Sequence, residues 1–253
     1  MLKRIFILLS MLAIASPALA DVELQYIDSD SGKPAAEVVV RDGRVRFANP
    51  AQSQSILYES AQHRFLVLDN AAKTYRVIDR QSVADLRREI ARVKSAAQML
   101  PDSIRKMIQG RAPKIDRLLN HPLPTVTVGL TGPAVHVGSW TCRTLTIAVN
   151  GGIGYGACVA PAQTLGVPEK DARTLAEMVD DLRALADGNL VLKPEAQAFL
   201  LKRLRVPVKY ANFARNRMQL LNKVRHDEVL PEQTAVPSDY EQRPLVDVGA
   251  YQD

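Results

Sequence analysis

The chain has 253 residues, of which 47% are hydrophobic and 24% are charged, and its formal net charge is +6 at pH 7. This length is sufficient for one large domain or two small ones with a proper hydrophobic core, and we expect one. The charge excess is mild for the length, so composition by itself does not indicate a nucleic-acid-binding protein.

Residues 1–20 have the pattern of a cleaved signal peptide. Lys3 and Arg4 form a basic start, Ile5–Ala15 is an apolar run, and Ala18–Ala20 offers small residues at the cleavage positions. The apolar run is shorter than the roughly 20 helical residues that cross a bilayer, which makes a membrane anchor the less favoured alternative. The pattern predicts an exported protein that begins at Asp21 and is periplasmic if the source has an outer membrane. Nucleic acid is not an expected partner there.

Charge is unevenly distributed along the predicted mature chain. Loss of Lys3 and Arg4 leaves 31 basic and 27 acidic side chains, a net charge of +4. Residues 80–119 contain 10 Lys and Arg against 4 Asp and Glu, whereas residues 227–253 contain 7 acidic residues and one Arg. This asymmetry favours a dipolar surface that meets an anionic membrane or an acidic partner, and solvated faces of ordinary helices are the alternative.

The two cysteines, Cys142 and Cys158, predict a disulfide, because thiols oxidise outside the cytoplasm. They lie in two strand-like runs, 139–149 and 153–159, around an Asn-Gly turn signal. A hairpin centred on Asn150 pairs residues whose numbers sum to 300, which places the two cysteines directly opposite each other at a distance that a disulfide accepts. A redox-active pair is the alternative, although the spacing is far from Cys-x-x-Cys.

The first third of the mature chain reads as an antiparallel meander. Asp42-Gly43 is a strong two-residue hairpin signal, and it pairs Val40 with Val45 and Val38 with Phe47 on one face. Further alternating runs predict strands at 22–26, 55–59, 64–69 and 74–78.

The hydrophobic period changes from two to that of a helix near Arg80, with Ser82 and Asp85 as a capping-box-like start. The apolar stripe of this helix is Val83, Leu86, Ile90, Val93, Ala97 and Leu100. A stripe of this width must be buried, and we expect it to pack across Val38, Val40, Val45 and Phe47 as a lid over a ligand cavity. The predicted contacts to an anionic headgroup at the rim are Arg87, Arg88 and Arg92.

The remaining chain predicts strands at 125–130, 206–213 and 218–229, and a helix after Val167 that opens at Pro168. The expected organisation is a signal peptide at 1–20, one domain at 21–230 with helical insertions near 82–119 and 168–204, and an extended or disordered tail at 231–253 rich in proline.

No motif of a known catalytic or phosphate-binding site is present, and no cofactor or metal is expected. The glycine-rich run 151–156 sits in a hairpin without a following helix, so it indicates a turn and not a dinucleotide loop. His226, followed by Asp227 and Glu228, is the one place where a ligand or a general base is conceivable, and a solvated strand end is the favoured interpretation.

Several structural landmarks carry a resemblance to known proteins. They are the run Leu68–Tyr75 with its Lys-x-Tyr ending, the strand start Val137–Cys142, and the segments Leu230-Pro231 and Val236–Tyr240 near the end. In this ordering the chain resembles the lipoprotein-carrier-like half-barrel proteins of the bacterial envelope, the LolA and LolB type, and more closely an uncharacterised secreted bacterial family that shares their plan. The resemblance implies an α+β fold, a curved antiparallel half-barrel sheet wrapped over or covered by amphipathic helices, with an apolar concave face that holds acyl chains in the carriers.

Together these observations lead to an expected function. The favoured hypothesis is a non-catalytic binding or carrier module for an apolar or lipid-like ligand. The alternative is a structural or interaction protein of the envelope whose basic surface docks a membrane or an acidic partner. An enzyme is the least favoured class.

Overall fold

The structure, a computed structural model, describes residues 21–99, 126–186, 205–226 and 229–245. These residues form one twelve-stranded sheet and two α-helices. The strands are β1 Val22–Asp28, β2 Pro34–Arg41, β3 Arg44–Ala48, β4 Gln54–Glu59, β5 Arg64–Asp69, β6 Thr74–Ile78, β7 Val126–Val137, β8 Trp140–Val149, β9 Gly152–Pro161, β10 Arg205–Asn212, β11 Arg217–Arg225 and β12 Glu241–Gln242.

The sheet consists of two antiparallel meanders, β1–β6 and β7–β11, joined where β1 pairs with β11. Connections of two to five residues join the successive strands of the first meander. At the β2–β3 turn Asp42 and Gly43 both have positive φ, 47° and 74°, the backbone that a two-residue hairpin turn requires. The predicted pairs Val38 with Phe47 and Val40 with Val45 are confirmed. The short strand β12 extends the sheet beyond β6 in parallel orientation.

One helix follows β6, the last strand of the first meander, and the other lies between β9 and β10. Helix α1, Arg80–Gln98, begins at a reciprocal cap in which Ser82 N–H donates to the Asp79 carboxylate at 2.7 Å and Asp79 N–H donates to the Ser82 hydroxyl at 2.8 Å. Ser82 therefore occupies the third helical position, and its capping partner is Asp79 and not the expected Asp85. Helix α2, Glu169–Ala186, carries Glu169 and Asp171 in its first turn.

The alternation of side chains along the strands builds different clusters on the two faces. The largest cluster lies on the face that carries α2 and combines residues of both meanders with Val83 of α1 and Ala172 and Leu185 of α2. On the opposite face there are two smaller clusters, one around Leu145 and Ile147 and one around Leu57, Leu66 and Leu68.

Residues 229–245, which we call the C-terminal clasp, lie along the first meander. Val236 and Tyr240 pack on Leu57, Leu66 and Leu68, and the Tyr240 hydroxyl donates to Asn70 Oδ1 at 3.1 Å. Thr234 is 2% exposed. This part of the expected tail, which extends from 231 to 253, is thus packed against the sheet.

The expected α+β half-barrel with helices wrapped over its face is corrected by the structure. The described residues are mainly β, in one open mixed sheet whose end strands β12 and β7 are not paired with each other. The pairing of β1 with β11 joins the second meander to the first in one sheet. The sheet is therefore extended by strand pairing, in place of the expected helices packed over a half-barrel. The predicted signal peptide at 1–20, residues 100–119 and 187–204 of the predicted helical insertions, and tail residues 246–253 lie outside the described residues.

Candidate functional site

The face of the first meander that carries α2 is organised in rows of directly opposed residues that cross the strands. The row nearest the hairpin turns of β2–β3 and β4–β5, which we call the inner row, consists of Val40, Val45, Tyr58, Phe65 and Ile78. Val40, Val45 and Tyr58 are at most 1% exposed, and Tyr58 and Phe65 have ring centroids 4.9 Å apart. This row forms permanent core beneath α2.

Helix α2 is held over the inner row by polar contacts at the turn end of the strands. The Tyr58 hydroxyl donates to the Asp181 carboxylate at 2.6 Å, and His63 Nδ1 lies 2.8 Å from the same oxygen. Burial, followed by the neighbouring Asp181 carboxylate, raises the pKa of Tyr58 well above its ordinary value. The ion pair of Lys170 with Asp42, at 3.3 Å, fixes the start of the helix over the β2–β3 turn.

The next row, which we call the open row, lies two residues further from these turns. It consists of Val38, Phe47, Ile56, Val67 and Arg76, each directly opposite the next on β2 to β6. Phe47 is 38% exposed and Ile56 is 41% exposed, whereas Val38 and Val67 are half-buried. A continuous apolar strip therefore faces outward on the same face as α2, beyond the strand positions at which the helix is anchored.

Arg76 ends the open row with a positive charge. Its half-buried side chain makes no hydrogen bond or ion pair within the described part of the chain. Asp69 lies two residues beyond Val67 on the same face, and its carboxylate accepts hydrogen bonds from the N–H groups of Ala71 and Ala72 at 3.1 and 3.0 Å. The Asp69 carboxylate thus has its hydrogen-bond donors in the β5–β6 turn, and the Arg76 guanidinium stays available.

The predicted cavity residues divide between the two rows. Val38 and Phe47 belong to the open row, and Val40 and Val45 belong to the inner row. Of the predicted lid stripe, Val83 is 2% exposed within the main cluster and Leu86 is half-buried. The side chains of Ile90, Val93, Ala97 and Leu100 lie outside the described residues.

The helix that packs over β2 and β3 is α2, whereas α1 meets the sheet at β6. The expected placement of α1 across Val38, Val40, Val45 and Phe47 is therefore not the arrangement that the structure has. The reason is topological: α1 starts directly after β6, at the strand four positions away from β2, and its Met99 is already 80% exposed. The chain between β9 and β10 supplies the covering helix instead.

The predicted headgroup contacts Arg87, Arg88 and Arg92 are exposed on α1. Arg88 pairs with Asp85, and Arg92 pairs with Glu89 at 3.3 Å, both within one helical turn. Two of the three guanidinium groups thus already have an acidic neighbour, and their contact with an anionic headgroup stays a prediction.

The opposite face carries a charged cluster that crosses β11, β1, β2 and β3. The Glu23 and Glu37 carboxyl groups are neighbours, and burial, followed by the proximity of Glu23, raises the pKa of Glu37. Arg225 lies 3.7 Å from Glu23, and Arg46 donates to the backbone carbonyl of Gln233 in the clasp at 3.3 Å. The cluster balances its own charges and ties the clasp to β3, which is a structural role.

Several residues of the site were not singled out from the sequence. Ile56, Val67, Arg76 and Asp181 acquire their positions from strand register and from the docking of α2. The signal for the open row was present in the hairpins: extending the pairing of Val38 with Phe47 through the next two turns leads to Ile56 and Val67. No comparable signal connects α2 with Tyr58, because 123 residues separate the two partners.

The structure also bears on other candidate sites. His226 packs beside Gly166, and Asp227 and Glu228 lie outside the described residues. Within 21–99, 126–186, 205–226 and 229–245, no three His, Cys, Asp or Glu side chains are grouped as metal ligands. In the same ranges, neither helix has the length and apolar character to cross a membrane.

The chain has a weak similarity to solved structures. No protein-family model matches it, and no curated protein matches its sequence. Among solved structures, one described as the structure of PNGF-II in P21 space group is similar over 88% of this chain, with 7% sequence identity and a TM-score of 0.43. The chain spans 31% of the length of that structure.

Proposed function

We propose that the protein is a non-catalytic binding module that holds an apolar, lipid-like ligand on the open row. The observation that carries the proposal is the pair Phe47 and Ile56, directly opposite each other and about two-fifths exposed. Half-buried Val38 and Val67 continue the strip on either side. Single exposed apolar residues are common on protein surfaces, but a contiguous strip of four in register is the pattern of a binding surface.

Covering the strip gives a favourable free energy of binding. Full burial of a side chain such as Phe or Ile contributes about 1.5 to 3 kcal/mol, so covering the exposed part of Phe47 or Ile56 contributes about 1 kcal/mol each. The inner row and α2 form a rigid wall beside the strip, because Tyr58 is fully buried and bonded to Asp181. A preformed surface of this kind loses little conformational entropy when a ligand binds.

We further propose that the protein acts in the periplasm. The Cys142–Cys158 disulfide is compatible with an exported protein, since disulfides persist in oxidising compartments. Peptide mapping of protein recovered from a periplasmic fraction should identify Asp21 as the first residue. A retained Met1 in the membrane fraction would contradict export with cleavage.

Displacement of Nile red, a neutral apolar dye, by hexadecanol tests the binding proposal. Ile56→Asn should weaken hexadecanol binding roughly fivefold, which corresponds to the loss of about 1 kcal/mol. Ile153→Asn is the matched control, because Ile153 is 65% exposed at the start of β9, outside the open row. Absence of hexadecanol binding by the native protein, or equal weakening by both substitutions, would refute the proposal.

The alternative function, a module that docks a membrane or an acidic partner, has its support in the exposed arginines of α1. Sedimentation with vesicles that contain anionic phospholipid distinguishes the two. Binding that is lost in an Arg87/Arg88/Arg92 triple Ala variant and unaffected by Ile56→Asn would favour docking over ligand binding.

A further inference from the structure

Arg76 is the feature of the open row that an apolar ligand alone does not explain. It occupies the position directly opposite Val67, where the pattern of the row places an apolar residue. Its side chain is half-buried, and no acidic group within the described ranges pairs with it. A guanidinium beside apolar surface and without a partner is a receptor for an anion, because a paired and hydrogen-bonded charge is favoured where water is partly excluded.

Several of the cations that precede or follow β6 in the chain are already engaged, which distinguishes Arg76 from them. Lys73, in the turn before β6, pairs with Asp239 of the clasp at 2.8 Å. On α1, Arg88 and Arg92 have Asp85 and Glu89. The Asp69 carboxylate, on the same face as Arg76, is held by the N–H groups of the β5–β6 turn.

The two ends of the open row also differ in charge and exposure. Adjacent strands are about 4.8 Å apart, so the distance from Arg76 on β6 to Val38 on β2 is roughly 19 Å. Beyond Val38 the row continues into Leu24, which is 2% exposed and part of the core. The strip therefore has a charged end at β6 and a closed apolar end at β1, with room between them for one extended alkyl chain.

Resting on the proposed function, we infer that Arg76 binds the anionic headgroup of a single-chain amphiphile whose alkyl chain lies along Val67, Ile56, Phe47 and Val38. A carboxylate suits the planar guanidinium, which donates two parallel hydrogen bonds to it. The ligand class is thus a free fatty acid or a chemically similar single-chain acid. The strip is one residue wide, because the inner row lies on one side of it and a polar row on the other. A diacyl membrane lipid is therefore too wide for the strip.

Three probes with the same alkyl chain and different heads test this inference. Hexadecanoate is anionic, hexadecanol is neutral and hexadecyltrimethylammonium is cationic, and each is titrated below its micelle concentration by Nile red displacement. The native protein should bind hexadecanoate roughly tenfold more tightly than hexadecanol, as expected for one charge-assisted, partly buried pair. The cationic probe should bind most weakly.

Substitutions then assign the preference to Arg76. Arg76→Gln and Arg76→Met should each remove the preference for hexadecanoate, measured as the ratio of its Kd to that of hexadecanol in the same variant, and Arg76→Lys should retain part of it. Arg88→Gln, which removes the same charge from α1, is the matched control and should keep the full preference. Unchanged melting temperatures show that the variants are folded.

The possible failures are distinguishable. Equal binding of hexadecanoate and hexadecanol by the native protein, or a preference that survives in both Arg76→Gln and Arg76→Met, would overturn the role of Arg76 and leave the apolar site intact. Failure of all three probes to bind would overturn the proposed function together with the inference. Binding only to vesicles of anionic phospholipid would overturn both in favour of membrane docking.

Discussion

Asp171 is a buried carboxyl group in the first turn of α2. It is 4% exposed, and this burial raises its pKa to about 6; Lys170 opposes the shift, and Asp21 and Asp42 add to it. The start of a helix favours a negative charge at this position, which makes the burial of an acid tolerable. The protonation state of Asp171 therefore links the packing of the start of α2 to the pH.

The pH dependence of stability tests this assignment. The unfolded state has a pKa near the ordinary value of 3.8 and the folded state one of about 6, so the folded state binds the proton more tightly. Proton binding by Asp171 therefore contributes fully to the free energy of unfolding below about pH 4, and this contribution is lost as the pH rises to about 6. Asp171→Asn removes this loss, and the variant should gain about 2 kcal/mol relative to native protein between pH 4 and pH 7. Denaturant unfolding at several pH values measures the difference.

Glu169→Gln is the control for this experiment. Glu169 lies in the same helical turn, but its side chain is 77% exposed and pairs only with Arg173 at 3.7 Å. The difference in stability between this variant and native protein should not change over the same pH range by more than a few tenths of a kcal/mol. A difference for Asp171→Asn that is flat with pH would show that the carboxyl group ionises as freely in the folded state as in the unfolded one.

At the scale of single elements, the β8–β9 hairpin contains the predicted disulfide but does not have the predicted strand register. The disulfide between Cys142 and Cys158 is confirmed, with a Cα–Cα distance of 5.4 Å. The expected register, in which paired numbers sum to 300, is wrong: Cys158 lies opposite Thr144. The turn pairs Val149 with Gly152, and a bulge then skips Gly154, so the two strands are offset by two residues and the cysteines are diagonal neighbours. Diagonal neighbours are still close enough for a disulfide.

The disulfide should contribute to stability by restricting the unfolded chain. Its partners are 16 residues apart, a loop for which the chain-entropy model gives about 3 kcal/mol. Replacing both cysteines with Ser should therefore lower the free energy of unfolding by about 2 to 4 kcal/mol in denaturant titrations. Reductant should produce a similar loss in native protein and none in the double variant. Free thiols in native protein from its own compartment would contradict the pairing there.

At the scale of the whole molecule, the C-terminal clasp covers a sheet face that the first meander cannot bury by itself. Leu57, Leu66 and Leu68 are at most 2% exposed, and the clasp supplies Val236 and Tyr240 against them. Residues more than 160 positions apart in the chain thus complete one cluster, as the Tyr240 to Asn70 hydrogen bond shows. The clasp also adds β12 to the edge strand β6, which satisfies part of an otherwise exposed edge.

Removing the apolar contacts of the clasp should destabilise the whole domain. A Val236→Ala/Tyr240→Ala variant loses two half-buried side chains and one hydrogen bond, and we expect a loss of about 3 kcal/mol in the free energy of unfolding with increased binding of anilinonaphthalene sulfonate. Ser238→Ala, at an exposed position between them, should change neither quantity. An unchanged melting temperature of the double variant would mean that the clasp is not part of the cooperative unit.

The sequence by itself determined the local elements of this protein. Period-two alternation predicted the strands of the first meander, and the Asp42-Gly43 turn predicted the register of β2 with β3, because adjacent strands in a hairpin pair through a turn of known length. The change of period at Arg80 likewise predicted α1, and the two cysteines predicted their own pairing. In the candidate site, Val38 and Phe47 were identified correctly as sharing a face.

Only the tertiary structure decided which elements meet. The pairing of β1 with β11, which turns two meanders into one sheet, joins segments almost 200 residues apart and leaves no periodic signal in either. The same holds for α2: its apolar face is as suitable for covering a sheet as that of α1, and the contacts of Asp181 with Tyr58 and His63 select it. Arg76 illustrates the consequence, since its sequence neighbours describe an ordinary strand residue. Its place at the end of an apolar strip exists only because four successive hairpins bring Val38, Phe47, Ile56 and Val67 into one row.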